Sequence, residues 1–210
     1  VFDKCGFKIY VSNRSEMNRV RSGGIMIACK QKFTQFVTEC KSKSKFIKWI
    51  RISEKATGYG ANLLLGTVYI PPRQSVYACE DVYDKLEAEV VNNVQADDLV
   101  LLCGDFNSHT STGLDYVEID EVHDMSHDNV KNVEICDLIK KSGANVIRKN
   151  TDKSKDVYGQ KLLNMCKNNN LLIMNGRVGQ DRLQGKATTS KNTVVDYFIG
   201  SLGMIRYVDN

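Results

Sequence analysis

The residues best suited to chemistry in this sequence follow a buried strand. The tetrapeptide Gly104–Asn107 (GDFN) comes directly after the apolar run Leu99–Cys103. In layered α/β folds ligands lie beyond the carboxyl ends of strands, and side chains two residues apart point to the same side. Asp105 can polarise a water molecule or hold a metal ion, and Asn107 can donate to a phosphate oxygen. The alternative is a tight Asp/Asn turn that closes the strand.

Two further residues stand in or at the end of predicted strands. Asp196 lies in the apolar run Val194–Ile199. An unpaired buried carboxylate is costly there, so we expect a partner such as a histidine or a backbone turn. Tyr69 lies near the end of the run Leu63–Ile70, just before two prolines. The structural alternatives are a carboxylate that caps a loop and a tyrosine at the edge of the core.

Three polar residues are candidate contacts with a substrate. His109 follows Asn107 by two residues, and Asn175 and Arg177 follow the apolar run Leu171–Met174. Polar and basic groups in such positions can contact the phosphates of a nucleic acid backbone. The alternatives are an exposed loop histidine and a turn with a solvated arginine.

Two other patterns have weaker chemical interpretations. His123 and His127 are four residues apart, a spacing that can bind zinc on a helix, but the lack of an apolar stripe favours a loop. The basic stretch Lys41–Lys48 either contacts DNA phosphates or forms a solvated hairpin edge. Neither pattern alone predicts a site.

The elements that must position these residues alternate between strand and helix. Four-residue spacing of apolar side chains predicts helices at 79–94 and 159–169. Apolar runs and alternation predict strands at 25–29, 46–52, 63–70, 99–103, 171–174 and 194–199, with 205–208 as a further candidate. This interleaving predicts one α/β or α+β layered domain over residues 1–210.

The composition is that of a globular protein. The 210 residues are 42% hydrophobic and 26% charged, which supplies a core and excludes intrinsic disorder. No apolar run approaches the roughly 20 residues of a membrane helix. The seven cysteines are widely spaced without a C-x-x-C pair, so we expect reduced thiols and a nuclear or cytoplasmic location.

Charge is distributed unevenly along the chain. Residues 1–55 contain 13 basic and 4 acidic side chains, and residues 138–210 contain 13 and 5, whereas residues 79–137 contain 2 and 16. Two basic flanks around an acidic middle suit a polyanionic partner with a divalent metal ion between them. Solvated charged faces are the alternative interpretation.

Four motifs together resemble the endonuclease/exonuclease/phosphatase superfamily. They are Gly23–Ile25, Tyr69–Pro72, Gly104–Asn107 and Val195–Phe198, in the order and approximate spacing of that superfamily. More narrowly, the sequence is similar to the apurinic-type endonuclease domain of non-LTR retrotransposons and to craniofacial-development-protein-like sequences. The resemblance runs from about Phe7 to Ser201.

The resemblance implies a four-layered sandwich of two packed mixed β-sheets flanked by helices, and hydrolysis of a phosphodiester with Mg²⁺ or Mn²⁺. By matching positions, Asp105 would orient or deprotonate the attacking water, and Asn107 would hold the phosphate and that water. Tyr69 would hydrogen-bond a phosphate oxygen, and Asp196 would orient the catalytic histidine of the family. Asp105 and Asn107 are also the candidate metal ligands in this chain.

Two family features have no match in the sequence: an early strand-end glutamate that binds magnesium and a terminal Ser-Asp-His triplet. Asp3 and Glu16 lie outside the glutamate motif. We therefore expect a fragment, with little activity of its own, of an endonuclease that nicks DNA. A reverse transcriptase domain in the same parent polypeptide is a candidate partner. The alternatives are an inactive remnant that serves as an interaction module and a phosphatase of the same superfamily.

Overall fold

The computed structural model describes residues 6–13, 23–117 and 135–208. The chain divides into two compact units, Val1–Asn107 (unit 1) and Ser108–Asn210 (unit 2). His123 and His127 lie outside the described residues, as do Asp3 and Glu16. Within the described ranges, no helix is long and apolar enough to cross a membrane. The organisation of residues 1–210 as one domain stays a prediction.

Unit 1 contains two β-sheets. One is an antiparallel pair of β1 (Phe7–Asn13) and β2 (Gly24–Lys30). The other contains, in this order, β3 (Val37–Glu39), β4 (Ile47–Ile52), β5 (Leu63–Tyr69) and β6 (Leu99–Asp105). β5 and β6 are parallel, whereas β3, β4 and β5 pair antiparallel. β2 packs against β4 and β5, so the two sheets are layered.

The helices of unit 1 follow β4 and β5. The short α1 (Glu54–Thr57) begins after Ser53, whose side chain accepts from the N–H of Lys55. The longer α2 (Val82–Asn93) lies between the parallel strands β5 and β6, which need a crossover connection. Its apolar side chains at four-residue intervals are buried. This crossover is what brings the ends of β5 and β6 to the same edge.

The core of unit 1 includes Trp49, which is fully buried on β4. Its register partner on β5 is Gly66. A Cβ atom at Gly66 would lie 2.6 Å from Cζ3 of Trp49, so only glycine leaves room for the indole.

Unit 2 combines helices with a two-stranded antiparallel pair. Residues 135–141 are helical (α3), and α4 (Val157–Asn168) is followed by β7 (Leu171–Ile173). β8 (Asp196–Ser201) pairs with β7, and α5 (Ile205–Val208) ends the described chain. α4 packs against β7. Asp156 caps the N-terminus of α4, since its carboxylate accepts from the N–H of Gly159 at 2.6 Å.

The structure confirms the predicted α/β class and the two predicted helices, with ends shifted by a few residues. The six strands predicted at 25–29, 46–52, 63–70, 99–103, 171–174 and 194–199 are also confirmed. The strand considered at 205–208 is wrong, because these residues form α5 after a 3-10 turn. Met204 and Ile205 are both buried, and two adjacent buried side chains do not fit a strand with one solvated face.

The six cysteines that the structure describes are all free, and the expectation of reduced thiols stays a prediction. Burial raises the pKa of the Cys166 and Cys103 thiols, which makes both poor nucleophiles.

Candidate functional site

Tyr69 and Asp105 lie side by side at the ends of β5 and β6 in unit 1. They are register partners in the parallel pair. The N–H of Ile70 donates to the carbonyl oxygen of Asp105 at 2.8 Å, so the pairing continues to the end of both strands. Two prolines then end β5, since proline cannot donate to a ladder. The structure therefore brings together two candidate residues that are 36 positions apart in the sequence.

The Gly104–Asn107 tetrapeptide is held rigidly. The carboxylate of Asp105 accepts from the N–H of Asn107 at 2.8 Å. The side-chain amide of Asn107 donates to the carbonyl oxygen of Ile70 at 2.7 Å, and Asn107 has a φ of 46°. Phe106 is fully buried, and its carbonyl oxygen accepts from Tyr83 Oη at 2.7 Å. The tetrapeptide is thus both a turn and a fixed support for two polar side chains.

Asp105 and Asn107 offer oxygen atoms of the kind that Mg²⁺ prefers. Because the Asn107 amide nitrogen donates to Ile70, the orientation of the amide group and of its oxygen is fixed. In the part of the chain that the structure describes, no group of three His, Cys, Asp or Glu side chains could hold a metal ion. Magnesium commonly keeps several waters and takes one or two carboxylates together with substrate phosphates. The two side chains therefore fit a partial magnesium shell.

Unit 2 contains an imidazole–carboxylate pair. Nδ1 of His109 lies 2.6 Å from Oδ2 of Asp152, and Oγ of Ser154 lies 3.1 Å from the same nitrogen. Oδ2 also accepts from the N–H of Val194 at 3.2 Å. The side chain of His109 is 29% exposed, whereas that of Asp152 is 4% exposed. A buried acid thus holds one edge of a ring that reaches the surface.

The Asp152 carboxylate is stabilised in its charged form. Burial alone would raise its pKa, but hydrogen bonds from Ser154, His109 and the N–H of Val194 together lower the pKa below its usual value. An ionised carboxylate beside Nδ1 fixes the orientation of an imidazole and places a hydrogen on that nitrogen.

Asn175 acts as an extension of the β7–β8 ladder. Its Oδ1 accepts from the N–H of Phe198 at 2.9 Å, and its Nδ2 donates to the carbonyl oxygen of Asp196 at 3.2 Å. Asp196 begins β8 with its side chain half-buried. This geometry favours a structural role for Asn175. The roles expected of Asn175 at a substrate and of Asp196 beside a histidine stay predictions.

Arg177 lies in the core of unit 2 and is 1% exposed. Its Nη1 and Nη2 donate to the two carboxylate oxygens of Asp115, each at 2.8 Å. The guanidinium also donates to the carbonyl oxygens of Asn145, Val146 and Ile173. With all its donors directed at protein groups, Arg177 is better suited to holding the fold than to the predicted contact with a substrate.

Asp152 was not predicted as the partner of His109. The segment 149–156 is polar and has no apolar period that would mark a strand or a helix. The two partners are 43 residues apart, and no pattern in the sequence around either of them predicts their contact. The only signal is the Asp-x-Ser spacing of Asp152 and Ser154, which is typical of a side chain that caps its own turn.

Comparison with known proteins shows a shared fold. No family model matches the sequence, and no curated protein matches it. The endonuclease domain of TRAS1, a telomere-specific non-LTR retrotransposon, matches 92% of the chain with a TM-score of 0.51 and 13% identity. An endonuclease/exonuclease/phosphatase family protein from Leptotrichia buccalis C-1013-b matches 92% of the chain with a TM-score of 0.47 and 14% identity.

The chain spans 64% of the length of the TRAS1 domain and 58% of the length of the Leptotrichia protein. At 13% identity the likeness to TRAS1 shows the fold alone. The predicted resemblance to the endonuclease domain of non-LTR retrotransposons is confirmed at the level of the fold.

Proposed function

We propose that this chain is the core of a divalent-metal-dependent phosphodiesterase that nicks DNA. The observation that carries the proposal is the strand-end cluster of Tyr69, Asp105 and Asn107, held rigidly in a fold shared with a retrotransposon endonuclease domain. A phenol, a carboxylate and a carboxamide supply the donors and acceptors that hydrolysis of a phosphodiester requires.

Each residue of the cluster has a distinct task in the proposed reaction. Asp105 orients the attacking water and accepts its proton, since its carboxylate is fixed by the N–H of Asn107. Asn107, through the amide hydrogen that Ile70 does not accept, and Tyr69 donate hydrogen bonds to phosphate oxygens, which offsets the charge that builds up on them. Asp196 keeps the role of orienting a histidine.

Magnesium or manganese, when bound beside Asp105 and Asn107, would supply positive charge for the phosphate and lower the pKa of a bound water. The proposal includes a nuclear or cytoplasmic location. It also includes, as a partner, a reverse transcriptase domain in the same parent polypeptide.

The test is nicking of supercoiled plasmid DNA with and without Mg²⁺, at protein concentrations and incubation times that resolve the low activity expected of this chain. We expect Asp105→Asn to lower the nicking rate by about 100-fold or more, because an amide cannot accept the proton of the water. The substitution keeps an oxygen acceptor for the N–H of Asn107, so we expect the fold to be retained. Chelation of the metal with EDTA should abolish nicking of the plasmid by the wild-type chain.

The matched control is Asp97→Asn, which removes the same charge from an exposed position of unit 1. Equal rates for Asp105→Asn and the wild type would contradict the proposal. Absence of nicking by the wild type would favour an interaction module. Release of phosphate from a small phosphomonoester would favour a phosphatase.

A basic groove in unit 1 supports DNA as the substrate. It has a volume of about 900 Å³, and Lys41, Lys43, Lys45 and Lys48 line it. The buried Glu89 on α2 accepts from the N–H of Lys43 at 2.6 Å, which fixes this loop over the helix. Lys48 is paired with Glu39, whereas Lys41 and Lys43 are exposed.

Substitution of Lys41, Lys43 and Lys45 by glutamine should weaken DNA binding and its salt dependence. Each lysine that neutralises a phosphate adds about 0.9 to the slope of log affinity against log salt concentration, so we expect a slope smaller by up to about 2.7. Isothermal titration calorimetry at several salt concentrations measures it. The control makes the same charge change at exposed Lys140, Lys141 and Lys186 of unit 2. An equal decrease in both variants would show an effect of net charge only.

A further inference from the structure

We propose that His109 contacts a phosphate of the substrate through Nε2, and that Asp152 and Tyr197 are positioning residues that hold its ring for this contact. The proposal rests on the proposed function, because it names a residue that binds a phosphate of the proposed substrate. All the residues that carry it lie in unit 2.

The first observation is a closed ring of hydrogen bonds. Nδ1 of His109 is 2.6 Å from Asp152 Oδ2, which also accepts from the N–H of Val194 at 3.2 Å. On the other side of the same residue, the carbonyl oxygen of Val194 accepts from Tyr197 Oη at 2.8 Å. Tyr197 Oη also lies 2.9 Å from the carbonyl oxygen of Ser108, the residue before His109. The ring therefore joins the imidazole, its own backbone and the approach to β8.

The second observation is a buried cation that is linked to this ring through Thr110. Arg148 is 2% exposed, and its Nη2 donates to Thr110 Oγ1 at 2.8 Å. Thr110 Oγ1 in turn lies 3.0 Å from Tyr197 Oη. Because the threonine oxygen accepts from arginine, its hydrogen can be given to the tyrosine oxygen. Burial raises the pKa of Tyr197 to about 12, so the phenol keeps its single hydrogen, which the carbonyl oxygens of Ser108 and Val194 share.

The third observation is a clamp on the backbone of His109. Its N–H donates to Oδ1 of Asp156 at 3.2 Å, and its carbonyl oxygen accepts from the N–H of the same residue at 3.0 Å. A Cβ atom at Gly159 would lie 1.8 Å from that carbonyl oxygen, so the start of α4 approaches His109 as closely as only glycine permits. The main chain at His109 is thus fixed on both polar atoms.

The outer edge of the His109 ring, which carries Nε2, is not held by these contacts. Within the described ranges no protein group hydrogen-bonds to Nε2, and the side chain is 29% exposed. With Nδ1 carrying the hydrogen that Asp152 accepts, Nε2 donates to an anionic oxygen in the imidazolium form of the ring. Fixing the ring before the substrate arrives removes the entropy cost of ordering it, which is the advantage of a preorganised contact. A loop histidine that contacts no substrate would not need the ring of hydrogen bonds, the buried Arg148 or the backbone contacts described above.

The kinetic test compares His109→Gln, Asp152→Asn and Tyr197→Phe in the plasmid-nicking assay. We expect His109→Gln to lower kcat/KM by about 10- to 100-fold, the value of one hydrogen bond to a charged group. Asp152→Asn and Tyr197→Phe should each lower it by about tenfold. Neither should lower it further in the His109→Gln background, because a positioning residue acts only through the residue that it positions. Additive losses would overturn the proposal.

A second measurement does not depend on catalysis. In ¹⁵N-labelled protein, His109→Gln assigns the ring signals of His109 among the three histidines. We expect a short DNA duplex, added without metal, to shift the Nε2 signal of the wild type, and Asp152→Asn to abolish the fixed Nδ1–H signal. An Nε2 signal that the duplex leaves unchanged overturns the proposal. Where Tyr197→Phe does not fold, Asp152→Asn carries both tests.

The two proposals fail in different ways. If Asp105→Asn nicks as the wild type does but the duplex shifts Nε2, the strand-end cluster is not catalytic and the phosphate contact of His109 stands. If Asp105→Asn is inactive and Nε2 does not respond, the proposed function stands without His109.

Discussion

Substitution of Arg177 by methionine is expected to lower the free energy of unfolding by about 3–5 kcal/mol. The arginine is 1% exposed and donates to both carboxylate oxygens of Asp115, which is equally buried. Methionine fills part of the space but leaves the carboxylate without its counter-charge in the core of unit 2. Urea unfolding followed by circular dichroism measures the change, which corresponds to a fall in Tm of about 10 °C for a chain of this size.

Two further variants isolate the cause of that loss. Arg182→Met removes an exposed arginine of unit 2 and should change stability by no more than about 0.5 kcal/mol. The double variant Asp115→Leu with Arg177→Met should recover much of the loss, because it leaves no stranded charge. A double variant as unstable as Arg177→Met would instead show that packing, and not the ion pair, determines the cost.

The second large effect is expected at Gly104, the residue before Asp105. Its φ is 138°, and a Cβ atom there would lie 1.9 Å from the carbonyl oxygen of Val68 on β5. Gly104→Ala must therefore push the two parallel strands apart next to Tyr69 and Asp105. We expect the free energy of unfolding to fall by about 3 kcal/mol, from backbone strain and forced displacement together, with loss of nicking.

The matched control for this prediction is Gly143→Ala. Gly143 also has a positive φ, 81°, but a Cβ atom there meets nothing within 4 Å. The free energy of unfolding of Gly143→Ala should fall only by the cost of the backbone conformation, about 1 kcal/mol. Urea unfolding of both variants measures the difference. Equal losses would mean that the approach of Val68 relaxes without cost.

The strand-end cluster was predictable because its signals are local. An apolar run that ends in Gly104–Asn107, and another that ends at two prolines, each show where a strand stops. The parallel pairing of β5 and β6 then follows from the helix between them, since α2 provides the crossover. Tyr69 and Asp105 could therefore be proposed as neighbours before any coordinates.

Other features could not be derived from sequence because they depend on distant partners. Arg177 was expected to contact a substrate or to be solvated, and only the fold shows that Asp115, 62 residues away, makes its burial tolerable. The polar segment around Asp152 carries no period, so its contact with His109 has no local signature. β1 was not predicted either, and within it only Tyr10 is buried. Long-range pairing decides all three.

The burial of Trp49 has a practical consequence for every stability experiment above. It is the single tryptophan of the chain, it is fully buried, and it belongs to unit 1. Its fluorescence emission therefore reports the melting of the β4–β5 layer, whereas the Arg177–Asp115 pair lies in unit 2. For one Arg177→Met sample, the unfolding curves from fluorescence emission and from ellipticity will coincide if the two units unfold cooperatively. The two curves will separate if the destabilisation stays within unit 2.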